Sequence, residues 1–257
     1  MVDHNLLLVY AAVLGLLVGS FLNVLIHRIP RQLPFTVARS RCVWCGGAIR
    51  ARDNVPVLSY LLLRGRCRSC SAPISLRYPL VEALTATLFV ACVVRFGRTS
   101  EAAVAALFCA LLVALALIDA EHFLLPDKLT LTGTLAGLAL QPFLPSVGFA
   151  DALLGTVLGA GLLILLINFW YWLRQEEGMG LGDVNMLAMV GAFLGWQGML
   201  VTLVVAAFTG AVVGIGLILA QRLGLKSRLP FGVFLALGAL VALFFRDSLI
   251  AGYLQLP

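Results

Sequence analysis

Charge is scarce in this chain. Only 12% of its 257 residues are charged, twelve of them acidic, and there are three histidines. A soluble domain of this length carries about twice that charged fraction on its surface, so the soluble and disordered classes are excluded. No internal repeat marks an inverted-repeat transporter, and no low-complexity tract is present. GxGxxG behind a strand is absent, which removes a dinucleotide-type fold. His4, His27 and His122 share no ligand spacing. What fills the chain instead is hydrophobic length: 61% apolar residues, a mean hydropathy of +1.04, and several runs close to the ~20 residues that cross a bilayer.

These runs predict an all-α polytopic membrane protein of about eight transmembrane helices, near 6–26, 78–96, 102–120, 128–144, 150–173, 184–199, 200–221 and 230–247. Only Gly195, Trp196, Gln197 and Gly198 mark a turn between the sixth and seventh. The chain divides on this reading into a first transmembrane helix (1–26), a cytoplasmic insert (27–77) and a helical bundle (78–257). The insert holds ten of the eighteen basic residues and one acid, Asp53. The positive-inside rule therefore places the insert in the cytoplasm and the N-terminus outside. Alternating through the helices leaves fifteen cations inside and Arg95, Arg98 and Arg246 outside. The first span has no small-residue cleavage site at its end and reads as a retained helix. The arginines lack interleaved aromatics for base stacking, so nucleic acid is not expected and membrane lipids are, with anionic headgroups as the partner of the insert. Glu176 and Glu177 read as a solvated loop, and Gly15 with Gly19 as a weak helix-packing GxxxG.

Two carboxylates stand out against this background, Asp119 in LIDAEHFLLPD and Asp183 in GMGLGDVNMLA. An ionisable side chain at the bilayer centre costs roughly 2.5–3.5 kcal/mol even on the lenient insertion scale, so one kept there is a functional candidate. Asp119 closes the third predicted span and Asp183 opens the sixth, so both lie near the cytoplasmic face. Paired carboxylates that share a proton activate water without a covalent intermediate. Helix-end dipoles favour Asp183 as the base and Asp119 as the acid, although such a pair titrates as a unit. Gly180 and Gly182 permit an unwound helix start and the close approach of an extended substrate. The plainer alternative for Asp183 is a helix cap.

Cysteine supplies the second constellation. Cys42 and Cys45 form one CxxC, Cys67 and Cys70 another, with twenty-one residues between the pairs. That spacing suits a four-cysteine zinc site, and a reducing cytoplasm disfavours two disulfides. Four thiolates fill a tetrahedral ion, so the zinc is structural. Cys92 and Cys109 fall in predicted helices and read as small apolar packing residues.

The stretches GSFLNVLIHRIP (19–30), the CxxC pairs with DNVPVLSYLLLRGRC between them, ISLRYPLVEALTA (74–86), LIDAEHFLLPD (117–127) and GMGLGDVNMLAMVGAFLG (178–195) resemble the type IV prepilin peptidases of the bacterial inner membrane. The resemblance implies a GxGD-type intramembrane aspartic protease with Asp119 and Asp183 as the catalytic pair. It further implies a prepilin or type II secretion pseudopilin substrate, cut after a glycine that ends a short basic leader, and methylation of the new N-terminal residue from S-adenosylmethionine. Glu82, Asn23 and Arg28 are candidates for methyl transfer or substrate binding. Asn185 departs from the pattern, since members of the family usually carry Lys there, and a shifted pH optimum is expected. Two alternatives stay open: a noncatalytic membrane assembly factor, and a peptidase without methyl transfer. Oligomeric state is not legible.

Overall fold

The computed structural model describes residues 4–33, 41–175, 180–220 and 229–254. Glu176, Glu177 and the first two residues of GMGLGD lie outside these, as do Arg222, Lys226 and Arg228. The described residues form helices α1 (His4–Arg28), α2 (Leu58–Leu62), α3 (Arg77–Phe96), α4 (Ser100–His122), α5 (Asp127–Ala139), α6 (Phe149–Arg174), α7 (Leu181–Leu219) and α8 (Phe231–Leu254), with no strand among them. Six of these, α1, α3, α4, α6, α7 and α8, are long and apolar enough to cross a membrane. The protein is an all-α polytopic membrane protein.

The chain separates into two compact units, Met1–Ala114 and Leu115–Pro257. In the first, α1 lies against α3 because Gly15 and Gly19 leave no room for more. A Cβ on Gly15 would come within 2.5 Å of the Ala86 Cα, and one on Gly19 within 2.7 Å of the Glu82 Cα. The GxxxG therefore packs two backbones together, which lets dispersion act between helices where lipid removes the hydrophobic drive. Cys92 and Cys109 are fully buried with their Sγ atoms 3.8 Å apart, between α3 and α4.

In the second unit α7 packs against α5, α6 and α8. Its 39 residues amount to about 58 Å of helix, roughly twice the hydrocarbon thickness. The helix breaks at Gly195, whose φ of 70° and ψ of 179° are outside the helical region. The break falls at the first residue of the turn expected from sequence, so 181–194 and 196–219 are separate arms. Breaking a helix in lipid orphans carbonyls, and two side chains answer them. Arg246 Nη1 donates to the Leu194 carbonyl at 3.1 Å and Gln141 Nε2 to that of Ala192 at 2.7 Å. The Gly195 conformation is essentially closed to other residues, and a Cβ there would also meet Val147 Cγ1 at 3.1 Å. Gly195→Ala should therefore destabilise the protein by about 1–3 kcal/mol, read as a lower midpoint in detergent-mediated unfolding.

The expected span at 128–144 is shorter in the structure. α5 ends at Ala139 and the chain passes into a 3-10 turn, Gln141–Phe143. Pro142 is the cause, because it offers no N–H to continue the α-helical ladder to Leu138. At 13 residues, α5 covers about 20 Å, less than the hydrocarbon core.

Candidate active site and metal centre

Both aspartates belong to the second unit. α4 ends where Phe123 adopts a left-handed φ of 52° and its N–H returns to the Asp119 carbonyl at 2.8 Å. The chain then turns through Leu124, Leu125 and Pro126, and α5 begins at Asp127 with Pro126 as its extended N-cap. α7 begins after Gly180, which is extended at φ −82°, ψ 152°, and places Asp183 in its first turn. The Asp183 N–H bonds the Gly180 carbonyl at 3.2 Å. Asp119 is 6% exposed and Asp183 half-buried, and the two side chains lie close enough to interact electrostatically. The structure thus brings together two residues 64 positions apart in sequence, at the end of one helix and the start of another.

Leu125 is the spacer of this arrangement. A Cβ on Gly182 would lie 2.8 Å from the Leu125 Cβ, and one on Gly232 would lie 3.0 Å from both Leu125 methyls. Gly182 is helical, so what it contributes is the absence of a side chain against Leu125. The helix starts of α7 and α8 and the LLPD turn converge on that one leucine. Asn185 reaches across the same junction, its Nδ2 donating to Asp127 Oδ1 at 2.9 Å. Asn185 is thus hydrogen-bonded to the first residue of α5.

A third element was not read from sequence. The first turn of α8 faces Asp119 with the backbone N–H groups of Gly232 and Val233. Asp119 Oδ2 is buried without a hydrogen-bond partner among the described residues, and a Cβ on Gly232 would press to 2.8 Å from it. The helix-end reasoning counted only each aspartate's own helix; here the N-terminal turn of another helix meets the carboxylate. Pro230 followed by Phe231-Gly232 was the available signal, a helix start with no side chain at its second position. Gly232→Ala should displace the Asp119 carboxylate, and a shift of about 1 Å at a reacting group costs up to ~10²-fold in rate. The expected result, for a reaction in which Asp119 takes part, is a fall in kcat with KM nearly unchanged, measured in steady state.

The first unit holds the cysteines. Each CxxC closes a turn of the same design: the Cys42 N–H bonds the Gly47 carbonyl and the Gly46 N–H the Cys42 carbonyl, both at 2.9 Å. Around the second pair, Cys67 N–H meets the Ala72 carbonyl at 2.8 Å and Ser71 N–H the Cys67 carbonyl at 2.9 Å. Gly46 and Ser71 take matching left-handed φ values of 67° and 58°. The four Sγ atoms lie within 4.8 Å of one another, with Cys42 and Cys70 at 3.8 Å. A tetrahedral zinc with Zn–S of about 2.3 Å has sulfur edges of about 3.8 Å, so the thiols fit that ion. The charge balance points the same way. Backbone N–H groups of Cys45 and Trp44 bring the Cys42 thiol down to about 6. At Cys70 the Ala72 N–H favours the thiolate, but burial and the other three thiols outweigh it and push the group up to about 12. Crowded thiols resist complete ionisation until a cation compensates them.

Asn23 and Glu82 come together at the α1–α3 contact, buried at 2% and 7% exposure. Asn23 Nδ2 donates to the carbonyls of Gly19 at 3.3 Å and Tyr78 at 3.1 Å, while its Oδ1 is buried with no partner among the described residues. Glu82 Oε2 accepts the Val57 N–H at 2.7 Å. Arg28 lies in the last turn of α1.

A helical membrane protein with two aspartates gathered at helix ends in one unit, and four thiols that could hold a metal ion in the other, has the parts of a membrane-embedded hydrolase. The chain belongs to the type IV leader peptidase family. Residues 106–215 match the model of that family, and residues 13–96 match that of the bacterial peptidase A24 N-terminal domain. Three relatives, each named prepilin leader peptidase/N-methyltransferase, are similar along most of the chain. The Aeromonas hydrophila protein is 41% identical over 93% of this chain and 91% of its own length. That of Pseudomonas putida is 40% identical over 96% and 93%. The Myxococcus xanthus protein is 48% identical over 82% of this chain, which spans 63% of that relative's length. No solved structure matches the chain significantly.

Proposed function

We propose that this protein removes the leader from type IV prepilins or related pseudopilins and methylates the amine it exposes. The observation that carries the reading is the meeting of Asp119 and Asp183 at the junction of α4, α7 and α8. The substrate is a single hydrophobic helix with a basic leader, held in the bacterial inner membrane with the leader on the cytoplasmic side. The insert lies on that same side, in agreement with its ten arginines against one acid.

Hydrolysis uses one water between the carboxylates. The ionised aspartate takes a proton as the water oxygen attacks the scissile carbonyl carbon, and the protonated aspartate gives its proton to the carbonyl oxygen. Collapse of the tetrahedral species breaks the C–N bond: the amine leaves with the proton taken from water, and the proton on the former carbonyl oxygen returns to the aspartate that gave it. Asp119 faces the first turn of α8 at Gly232 and Val233, and Asp183 rides on the first turn of α7.

Cys42, Cys45, Cys67 and Cys70 hold zinc, whose role is to fold the insert. S-adenosylmethionine, when bound, supplies an electrophilic methyl group. The residues suited to it lie at the α1–α3 contact, where the Asn23 Oδ1 acceptor and the Glu82 carboxylate favour a cationic sulfonium or the substrate ammonium, with Arg28 as the cation for a carboxylate. The proposal is tested by incubating purified protein in lipid with a prepilin and S-adenosylmethionine and taking the intact mass of the product. Loss of the leader plus one methyl group is expected. Loss of the leader alone leaves a peptidase without methyl transfer, and an unchanged mass across several prepilins overturns the reading in favour of an assembly factor.

A further inference from the structure

The helix α2 turns a face of leucines away from the protein. Leu58, Leu61 and Leu62 are 53%, 65% and 71% exposed, and their i, i+3, i+4 spacing puts them on one side. The flank of the helix is pinned by Ser59, whose buried hydroxyl accepts the Val55 N–H at 2.9 Å and donates to the Arg52 carbonyl at 3.1 Å. The exposed leucines therefore have a fixed direction. Around them the charge is of one sign. Arg50, Arg52, Arg64 and Arg66 are exposed, and Asp53, the single acid of the insert, is occupied by Arg68 at 2.7 Å.

The depth of α2 is set by one hydrogen bond. Val57, the residue before it, donates its N–H to Glu82 on α3 at 2.7 Å. Glu82 is the sixth residue of a 20-residue helix that is just long enough to cross the hydrocarbon, so its Cα lies about 8 Å in from the helix start. Its side chain leans back toward the N-terminus, as helical side chains do, which brings the carboxylate and Val57 to the membrane boundary. The turn there is strained. Val57 has φ 58° and ψ −50°, and the Leu58 N–H closes on the Pro56 carbonyl, a γ-turn of the rare positive-φ kind, on a β-branched residue. Strain of this sort persists where the surroundings over-determine the backbone, and here Glu82 and Ser59 hold it from both sides.

We propose that α2 lies in the bilayer interface, with Leu58, Leu61 and Leu62 among the upper acyl chains and the flanking arginines on anionic headgroups. An apolar face at headgroup depth ringed by arginine is the pattern of an interfacial helix, and the charge complementarity selects an anionic leaflet. The insert is then a surface-bound plate whose Val57–Glu82 clamp sets its height. This reading is independent of the reaction the protein carries out.

The test places a fluorophore on the face. Leu61→Trp is made in a chain whose Trp44, Trp170, Trp172 and Trp196 are replaced by Phe, reconstituted in phosphatidylcholine/phosphatidylglycerol vesicles, with retained zinc as the check on folding. Lipids brominated near the headgroup end of the chain should remove at least about half of the emission, and aqueous iodide little of it. Adding Glu82→Ala, which removes the acceptor of the Val57 N–H, should shift quenching from bromolipid toward iodide. Quenching by iodide alone overturns the proposal, as does quenching by neither agent, which would mean that protein covers the face. Quenching by bromolipid that is equal in vesicles of phosphatidylcholine alone overturns the part assigned to the arginines.

Discussion

Asp119→Asn and Asp183→Asn should each reduce leader removal by at least ~10³-fold, a loss of about 4 kcal/mol of transition-state stabilisation. Neither amide accepts a proton from water, and an amide paired with the remaining carboxylate no longer shares one. The double variant should be little worse than either single one, because residues that act as a unit lose their joint contribution once. Methyl transfer provides the control. A substrate already lacking its leader should still be methylated by both variants, since both substitutions fall in the second unit and the proposed methyl-transfer residues in the first. The measurement is single-turnover cleavage followed by intact mass, with each substrate form separately. Retained cleavage in both variants would remove the dyad from the mechanism.

Stripping the metal should have the next largest effect. A structural zinc contributes ~10–16 kcal/mol to the folding of small zinc-finger peptides, and the insert has little else to hold it. Its described part buries one side chain of α2, Ser59, and none of its 3-10 turn Ala51–Asp53. Purified protein should carry one zinc per chain by elemental analysis. Cys42→Ser and Cys67→Ser should each release it and open residues 41–73 to protease. As the insert melts, the Val57 N–H leaves Glu82 and a buried carboxylate loses a partner, so methyl incorporation should fall with metal occupancy. Methylation that persists in zinc-free protein would separate the metal from that activity.

Much of this architecture was legible because apolar length and metal-ligand spacing are local signals. The eight hydrophobic runs, the turn at Gly195 and the paired CxxC turns each depend on residues within a few positions of one another. The shortened α5 was legible too in retrospect, since Pro142 stands where its helix stops. The meeting of Asp119 with Asp183 was inferred only from shared depth, and what makes it a site is tertiary. Leu125 sets the spacing of two helix starts through glycines 57 and 107 residues away from it. The approach of α8 to Asp119 leaves no periodic trace, because its contribution is backbone N–H groups and a missing side chain. The Arg246 and Gln141 caps were equally hidden, since a polar residue near a span end reads as interfacial until the carbonyl it serves is seen.

The break in α7 also fixes a phase. The first arm is clamped at its far end by Arg246 and Gln141 on the carbonyls of Leu194 and Ala192, while Asp183 stands at its near end. Between clamp and carboxylate the chain behaves as a screw: each residue added or removed turns Asp183 by about 100° and advances it about 1.5 Å. The side chains along this arm are packed, with Met186, Leu187, Met189 and Val190 fully buried, and its count of residues is fixed as well, whereas the turn at 97–99 has no catalytic candidate to keep in register.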